Sequence, residues 1–344
     1  MKTIALNATA VTGYQHPVFI LLLLGALWGG MAMFLGVILV VLVLDFVVRV
    51  LYYTPAQPVL PKDGDVALIT GASRGIGREI AIVLAKDHKF DVVLVARSKG
   101  EISALADQIR KKYSVKAYAI ASDLSNEAGI TSLIEKLKKG NLFVSLLVNN
   151  AGVADRSHFV NQSKKRIDLM MSLNVIGTTM MTKAFLPLMV ERGYGRVLFV
   201  SSAIGISGQP TQAVYSSSKA YVSTFCSSLR FELRNTGVRV SCLNPGATIT
   251  SFAKESRITS SLIFTLPTLQ SKADVVARAG VETMLNGQSW AITGWFSHLV
   301  WFCGWLFPED LISWIAMIFW CDLGDAIDMV LMRKKGRLYI EKKS

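Results

Sequence analysis

The stretch Val66–Asp87, VALITGASRGIGREIAIVLAKD, decides how the rest of the chain is read. It opens on a short β-branched run, VALIT, and closes on a helix-like segment, REIAIVLAKD. Between them the turn Thr70–Gly77 carries Gly71, Gly75 and Gly77, with Ser73, Arg74 and Ile76 in the same loop. Glycines there permit a tight turn and let phosphate approach backbone amides at a helix start. The glycine spacing alone is weak evidence. The strand before it and the helix after it give it value.

Five further apolar runs follow at 91–96, 117–122, 144–149, 196–201 and 238–243, alternating with helix-like segments. Continuous apolar strands imply a sheet covered on both faces. Strand–helix alternation with right-handed crossovers implies an α/β, doubly wound parallel sheet of Rossmann type. Such sheets bind ligands at the carboxyl ends of their strands. After the second run, Ala96 stands where an acid usually holds ribose hydroxyls in an NAD site. Arg97 follows it, and with Arg74 offers two guanidinium groups to a 2′-phosphate, so NADPH/NADP is expected over NADH. After the third run come Asp123 and Leu124, where an acid can accept a hydrogen bond from adenine. After the fourth, Asn150, Ala151 and Gly152 let the chain pass close to a cofactor. After the fifth come Ser201 and Ser202, then Tyr215 and Lys219, four residues apart on one helix face. After the sixth, Pro245 and Gly246 turn the chain, and Thr248 and Thr250 can bond a carboxamide or phosphate.

Together these residues resemble the short-chain dehydrogenase/reductase family, from about Gly64 to Gly294. The marks are TGxxxGxG at 70–77, NNAG at 149–152, Asn174, Ser202, YxxxK at 215–219 and PGxxxT at 245–250. The resemblance implies that Tyr215 is the general acid in carbonyl reduction and that Ser202 bonds the substrate carbonyl. It also implies that Lys219 holds the nicotinamide ribose, and that Asn174 holds a water relaying protons to Lys219. A free tyrosine has a pKa of about 10, and the Lys219 ammonium is expected to draw it down. Each residue also has a duller reading: Ser202 as a strand-end cap, Asn174 as a buried amide satisfied by backbone.

The two ends are greasy. The chain of 344 residues is 51% hydrophobic and carries a net charge of +13, with a mean hydropathy of +0.41. Pro17–Leu44 has no formal charge over 28 residues, roughly 42 Å as one helix against the ~20 residues that span hydrocarbon. It reads as a retained anchor, single-span or re-entrant, rather than a cleaved leader, because the core is long and no small-residue cleavage site follows. Six of the seven tryptophans lie between Trp290 and Trp320. Their segments read as membrane-surface helices, or as a buried pair covering the active site or a dimer contact. The tail after 332 holds six basic residues against one acid, which suits an anionic membrane surface. No nucleic-acid motif accompanies the charge. The four cysteines and four histidines form neither a zinc site nor a disulfide framework. The expected organisation is an anchor at 1–52, a proline-bearing linker at 53–64, a reductase domain at 65–294, hydrophobic membrane-associated helices at 295–332 and a basic tail at 333–344.

The loop after Thr250 has an apolar centre, LIFTL, and no glycine. A greasy lid beside a membrane suits a lipid ketone. Among the family's membrane-anchored branches, the architecture looks most like the very-long-chain 3-oxoacyl-CoA reductases and 17β-hydroxysteroid dehydrogenase type 12. Other hydroxysteroid dehydrogenases, 3-ketosphinganine reductases and a non-catalytic NADPH-binding scaffold stay open. The resemblance further implies an endoplasmic-reticulum membrane, and Lys2 before the anchor against Asp45, Arg49 and Lys62 after it biases the domain toward the cytosol. It leaves a homodimer open, since family members often pair through a four-helix contact.

Overall fold

A computed structural model describes residues 36–44, 47, 62–206 and 208–320. Its first strand, β1 (Asp65–Thr70), is buried along its whole length. Alternate residues face opposite sides of the pleat. Ala67 and Ile69 point into one apolar layer and Val66 and Leu68 into the other. That double burial is why the run is continuously apolar. The glycine turn then leads into α1 (Gly75–Lys86). The pattern repeats through β2 (Asp91–Ala96), α2 (Lys99–Tyr113), β3 (Ala117–Ala121), α3 (Glu127–Lys139) and β4 (Phe143–Asn149). It continues with α4 (Lys164–Glu191), β5 (Gly195–Val200), α5 (Ala213–Glu232) and β6 (Val238–Pro245). It closes with α6 (Ala273–Leu285) and β7 (Trp290–Thr293).

The sheet is parallel throughout, in the order β3-β2-β1-β4-β5-β6-β7. Helices α1, α2 and α6 cover one face, and α3, α4 and α5 cover the other. Chain direction across the sheet reverses between β1 and β4, which opens a crevice at their carboxyl ends. Thr70 ties that point together. Its hydroxyl donates to the Val148 carbonyl at 3.1 Å and accepts the amides of Asn150 and Ala151 at 2.9 and 3.0 Å.

The seventh strand was not expected. Trp290–Thr293 is a four-residue edge strand whose first tryptophan is exposed, so its composition merges with the tryptophan-rich segment that follows. Helix α4 is long and apolar enough by composition to cross a membrane. It is instead a core helix, with Met181, Phe185 and Met189 buried against the sheet. Residues Met171–Gly177 within it wind as a π-helix.

Beyond the sheet lie α7 (Trp295–Leu306) and α8 (Glu309–Trp320), broken at Pro308. Both readings of this region have a counterpart. Phe296, Ala316 and Trp320 join Tyr215, Ile204 and Ile263 in a third apolar cluster. Trp295, Leu299, Phe302, Leu311 and Trp314 are exposed. Of the expected anchor, Gly36–Leu44 is helical, with Leu39 to Leu44 exposed. Apart from Val47, the rest of the anchor lies outside the described residues, as do most of the linker, residues 321–332 and the basic tail.

Thr70→Val keeps the shape of β1 but leaves two amides without their acceptor. It should lower unfolding stability by about 1–3 kcal/mol with unchanged far-UV circular dichroism, measured by urea titration.

Candidate active site

The carboxyl ends of β1, β2, β4, β5 and β6 open into one cleft of about 290 Å³. Its floor begins at the glycine turn. Gly71 has φ +66°, and a side chain there would stand 2.8 Å from the Asn150 amide and 2.9 Å from Ala151 Cα. Gly77 is as tightly enclosed, because a Cβ would lie 2.5 Å from the Gly71 carbonyl. Asn150 Nδ2 donates to the carbonyls of Thr70 and Gly71 at 2.9 and 3.2 Å, locking the turn. The first turn of α1 has no side-chain cap, so its amides remain available to an anion.

Ser73, Arg74, Gly75 and Ile76 line the same end of the cleft, with Arg97, Asp123 and Leu124 beyond them. Arg97 is exposed. Arg74 is held between two carboxylates, Glu101 at 2.7 Å and Glu255 at 2.5 Å, which raise its pKa. Asp123 accepts from the amide and hydroxyl of Ser125 through one oxygen. Asn150, Ala151, Gly152, Pro245, Gly246, Thr248 and Thr250 form the middle. Of the residues singled out from the sequence, only Gly77 and Asn174 are not in the wall.

Ser202, Tyr215 and Lys219 meet at the inner end. Ser201 Oγ donates to the Lys219 carbonyl at 2.8 Å, and Lys219 Nζ donates to the Val200 carbonyl at 2.8 Å. These two bonds pin α5 onto the end of β5. Lys219 Nζ stands 5.9 Å from the Tyr215 ring centroid. Both side chains are buried. Burial lowers the Lys219 pKa to about 8. Burial also raises the Tyr215 phenol above its ordinary value, opposed by the Ser202 hydroxyl. The expected depression of the phenol by Lys219 is therefore overturned. Desolvation penalises the phenolate, and the ammonium's hydrogen bond goes to a carbonyl instead.

Asn174 sits in the π segment behind the cleft, 1% exposed. Its Oδ1 accepts the Val153 amide at 2.9 Å, while Nδ2 donates to the Val153 carbonyl at 2.9 Å and to Ser218 Oγ at 3.0 Å. Both amide hydrogens are used, so the duller reading describes its side chain well. Gly152 lies in front: a Cβ there would be 3.3 Å from Asn174 Oδ1 and 3.4 Å from Lys219 Nζ.

Sequence reasoning missed several wall residues. Phe252, Ile258 and Phe264 come from the loop after Thr250, which had been read only as a greasy lid. Phe252 packs 5.9 Å from the Tyr215 ring. Trp320 comes from α8 and stands edge-on to Phe264 at 6.3 Å. Gln212, one turn before Tyr215, also lines the cleft. A glutamine three residues from the tyrosine was a visible signal for it. The tryptophan-rich segment had been read as helices that lie on a membrane or cover the active site, but nothing in the sequence alone singles out Trp320 within it.

The short chain dehydrogenase family matches residues 65–261. Hydroxysteroid dehydrogenase-like protein 1 of Gallus gallus is 31% identical over 265 residues, covering 76% of this chain and 77% of its own. Very-long-chain 3-oxoacyl-CoA reductase of Homo sapiens is 34% identical over 204 residues, 56% of this chain and 62% of its own. A solved short-chain dehydrogenase from Sphingobium yanoikuyae, in complex with NADPH, is 26% identical with a TM-score of 0.63, covering 83% of this chain and 99% of its own.

The depressed Lys219 pKa fixes the sign of a pH effect. Between about 8 and the ordinary 10.5 the unfolded chain holds a proton that the folded site does not. Stability from this group therefore rises with pH across that window. The difference in unfolding free energy between the native protein and Lys219→Met should grow from pH 8 to 10, read by denaturant titration at each pH.

Proposed function

The chain belongs to the short chain dehydrogenase family, and from that premise we propose that it is a membrane-anchored, NADPH-dependent reductase of a lipid ketone, a 3-oxoacyl-CoA. The observation that carries this reading is the single cleft itself. The glycine turn, the Ser202, Tyr215 and Lys219 side chains, and the apolar Phe252, Ile258, Phe264 and Trp320 all line it.

A dinucleotide fits the residues present. Gly71, Gly77 and Gly152 leave room that a Cβ would fill. The amides at the start of α1 suit its pyrophosphate. Arg74 and Arg97 suit the 2′-phosphate, with Arg74 exchanging a carboxylate partner for it. Asp123 and Leu124 face the adenine end. Thr248 and Thr250 face the carboxamide. NADPH supplies a hydride to the carbonyl carbon. The protein's part is the oxygen. Ser202 donates a hydrogen bond to it, and Tyr215 gives it a proton, so ketone becomes alcohol. Burial keeps the phenol protonated at neutral pH, which is the form an acid needs before the step. Lys219, with its pKa near neutrality, replaces the lost proton and holds ribose hydroxyls. Asn174 acts as a positioning residue, bracing Val153 behind Gly152.

The apolar wall supports a lipid substrate, and the exposed apolar faces of α7 and α8 support seating on a membrane. The outer faces of α4 and α5 carry exposed Ile176, Met180, Tyr221 and Phe231, which suit a homodimer. A hydroxysteroid ketone is the second reading, favoured by the chicken relative's name.

Tyr215→Phe should lower kcat by about 10²–10⁴-fold on 3-oxoacyl-CoA while leaving NADPH affinity intact, followed by NADPH absorbance on full-length protein in detergent. Unchanged turnover would sink the reading, and preferred turnover of a steroid ketone would favour the second. Arg74→Ala with Arg97→Ala should raise the KM for NADPH roughly tenfold or more against that for NADH. Trp320→Ala should weaken turnover of long acyl chains more than short ones, assayed over a chain-length series.

A further inference from the structure

Gln212 begins α5, one turn before Tyr215, and is 1% exposed. Its backbone is fixed: the amide donates to the Gln209 carbonyl at 3.1 Å, and its carbonyl accepts from the Ser216 amide at 2.9 Å. The side chain makes no helix cap. Neither Oε1 nor Nε2 has a hydrogen-bond partner among the described residues. The same residue lines the cleft. Burying a carboxamide with both ends unpaired is costly, and such groups in folded proteins call for a partner. Gln212 and Tyr215 both line the cleft, so the carboxamide and the phenol border the same space.

We propose that Gln212 is a specificity-determining residue that binds a second oxygen of the ketone, close to the carbonyl being reduced. The inference rests on the reductase reading and narrows it. Ser202 and Tyr215 are occupied by the reacting oxygen. The outer wall, formed by Phe252, Ile258, Phe264 and Trp320, is apolar apart from the indole N–H of Trp320. A carboxamide supplies both a donor and an acceptor. Nε2 would donate to a carbonyl two carbons from the reacting one, as in the thioester of a 3-oxoacyl chain. The ligand class is therefore a β-dicarbonyl compound with an apolar tail, rather than a ketone whose only polar atom is the one reduced.

The experiment compares the full-length wild type with Gln212→Leu on two substrates, a 3-oxoacyl thioester and a methyl ketone of matched chain length. Wild type should prefer the thioester by about tenfold or more in kcat/KM, a measurement that needs no variant. Gln212→Leu should erase that preference, losing about tenfold on the thioester and little on the monoketone, with NADPH affinity and melting temperature unchanged. Equal loss on both substrates, weakened NADPH binding or undiminished thioester reduction would overturn the proposal. A wild type that prefers the monoketone overturns it while leaving the reductase reading intact. A wild type that reduces neither ketone overturns both.

Discussion

The pair of bonds between the end of β5 and the middle of α5 sets the geometry on which the site depends. The Lys219 ammonium is taken out of water and given to the Val200 carbonyl, while Ser201 returns a bond to the Lys219 carbonyl. An unpaired buried ammonium would be expensive, so this contact strongly restricts how α5 lies on the sheet. The 3₁₀ turn after Ser202 can press against the same helix because residue 205 is glycine: a Cβ there would come 2.8 Å from the Lys219 backbone. With helix and turn fixed together, the Tyr215 ring and the Ser202 hydroxyl face each other without help from a ligand.

The glycine turn depends on a comparable economy of space. The ends of β1 and β4 approach until Asn150 fills the room that side chains at residues 71 and 77 would occupy. The residues NNAG and TGASRGIG are thus two halves of one contact. That contact explains why small residues follow the fourth strand as well as the first.

Much of this could be read from the sequence, because it was written in backbone-level constraints. Six strands stood out as β-branched runs buried on both faces. The cleft residues followed from where such strands end. The rest was hidden for physical reasons. The edge strand at Trp290–Thr293 is too short to show a period and is half exposed. The π segment around Asn174 adds hydrogen-bond spacing that leaves no mark in residue pattern. Its sign is in packing, where Gly177 lies so close to the Leu124 carbonyl that a Cβ would be 2.5 Å away. The phenol's pKa went the wrong way because a sequence displays charges and conceals desolvation. Trp320 could not be picked out of the tryptophan-rich segment as a wall residue because its place depends on how α8 folds back over Leu262–Thr265.

That last placement separates two kinds of inheritance within one molecule. The groups at the centre of the cleft are locked to the sheet, and few changes there would be survivable. Part of the aromatic rim, Trp320, is borrowed from a helix outside the sheet. Natural variation in α8 could therefore retune the shape of molecule admitted while the hydride and proton geometry stays fixed, so that new specificities would arise by remodelling the doorway and leaving the hearth untouched.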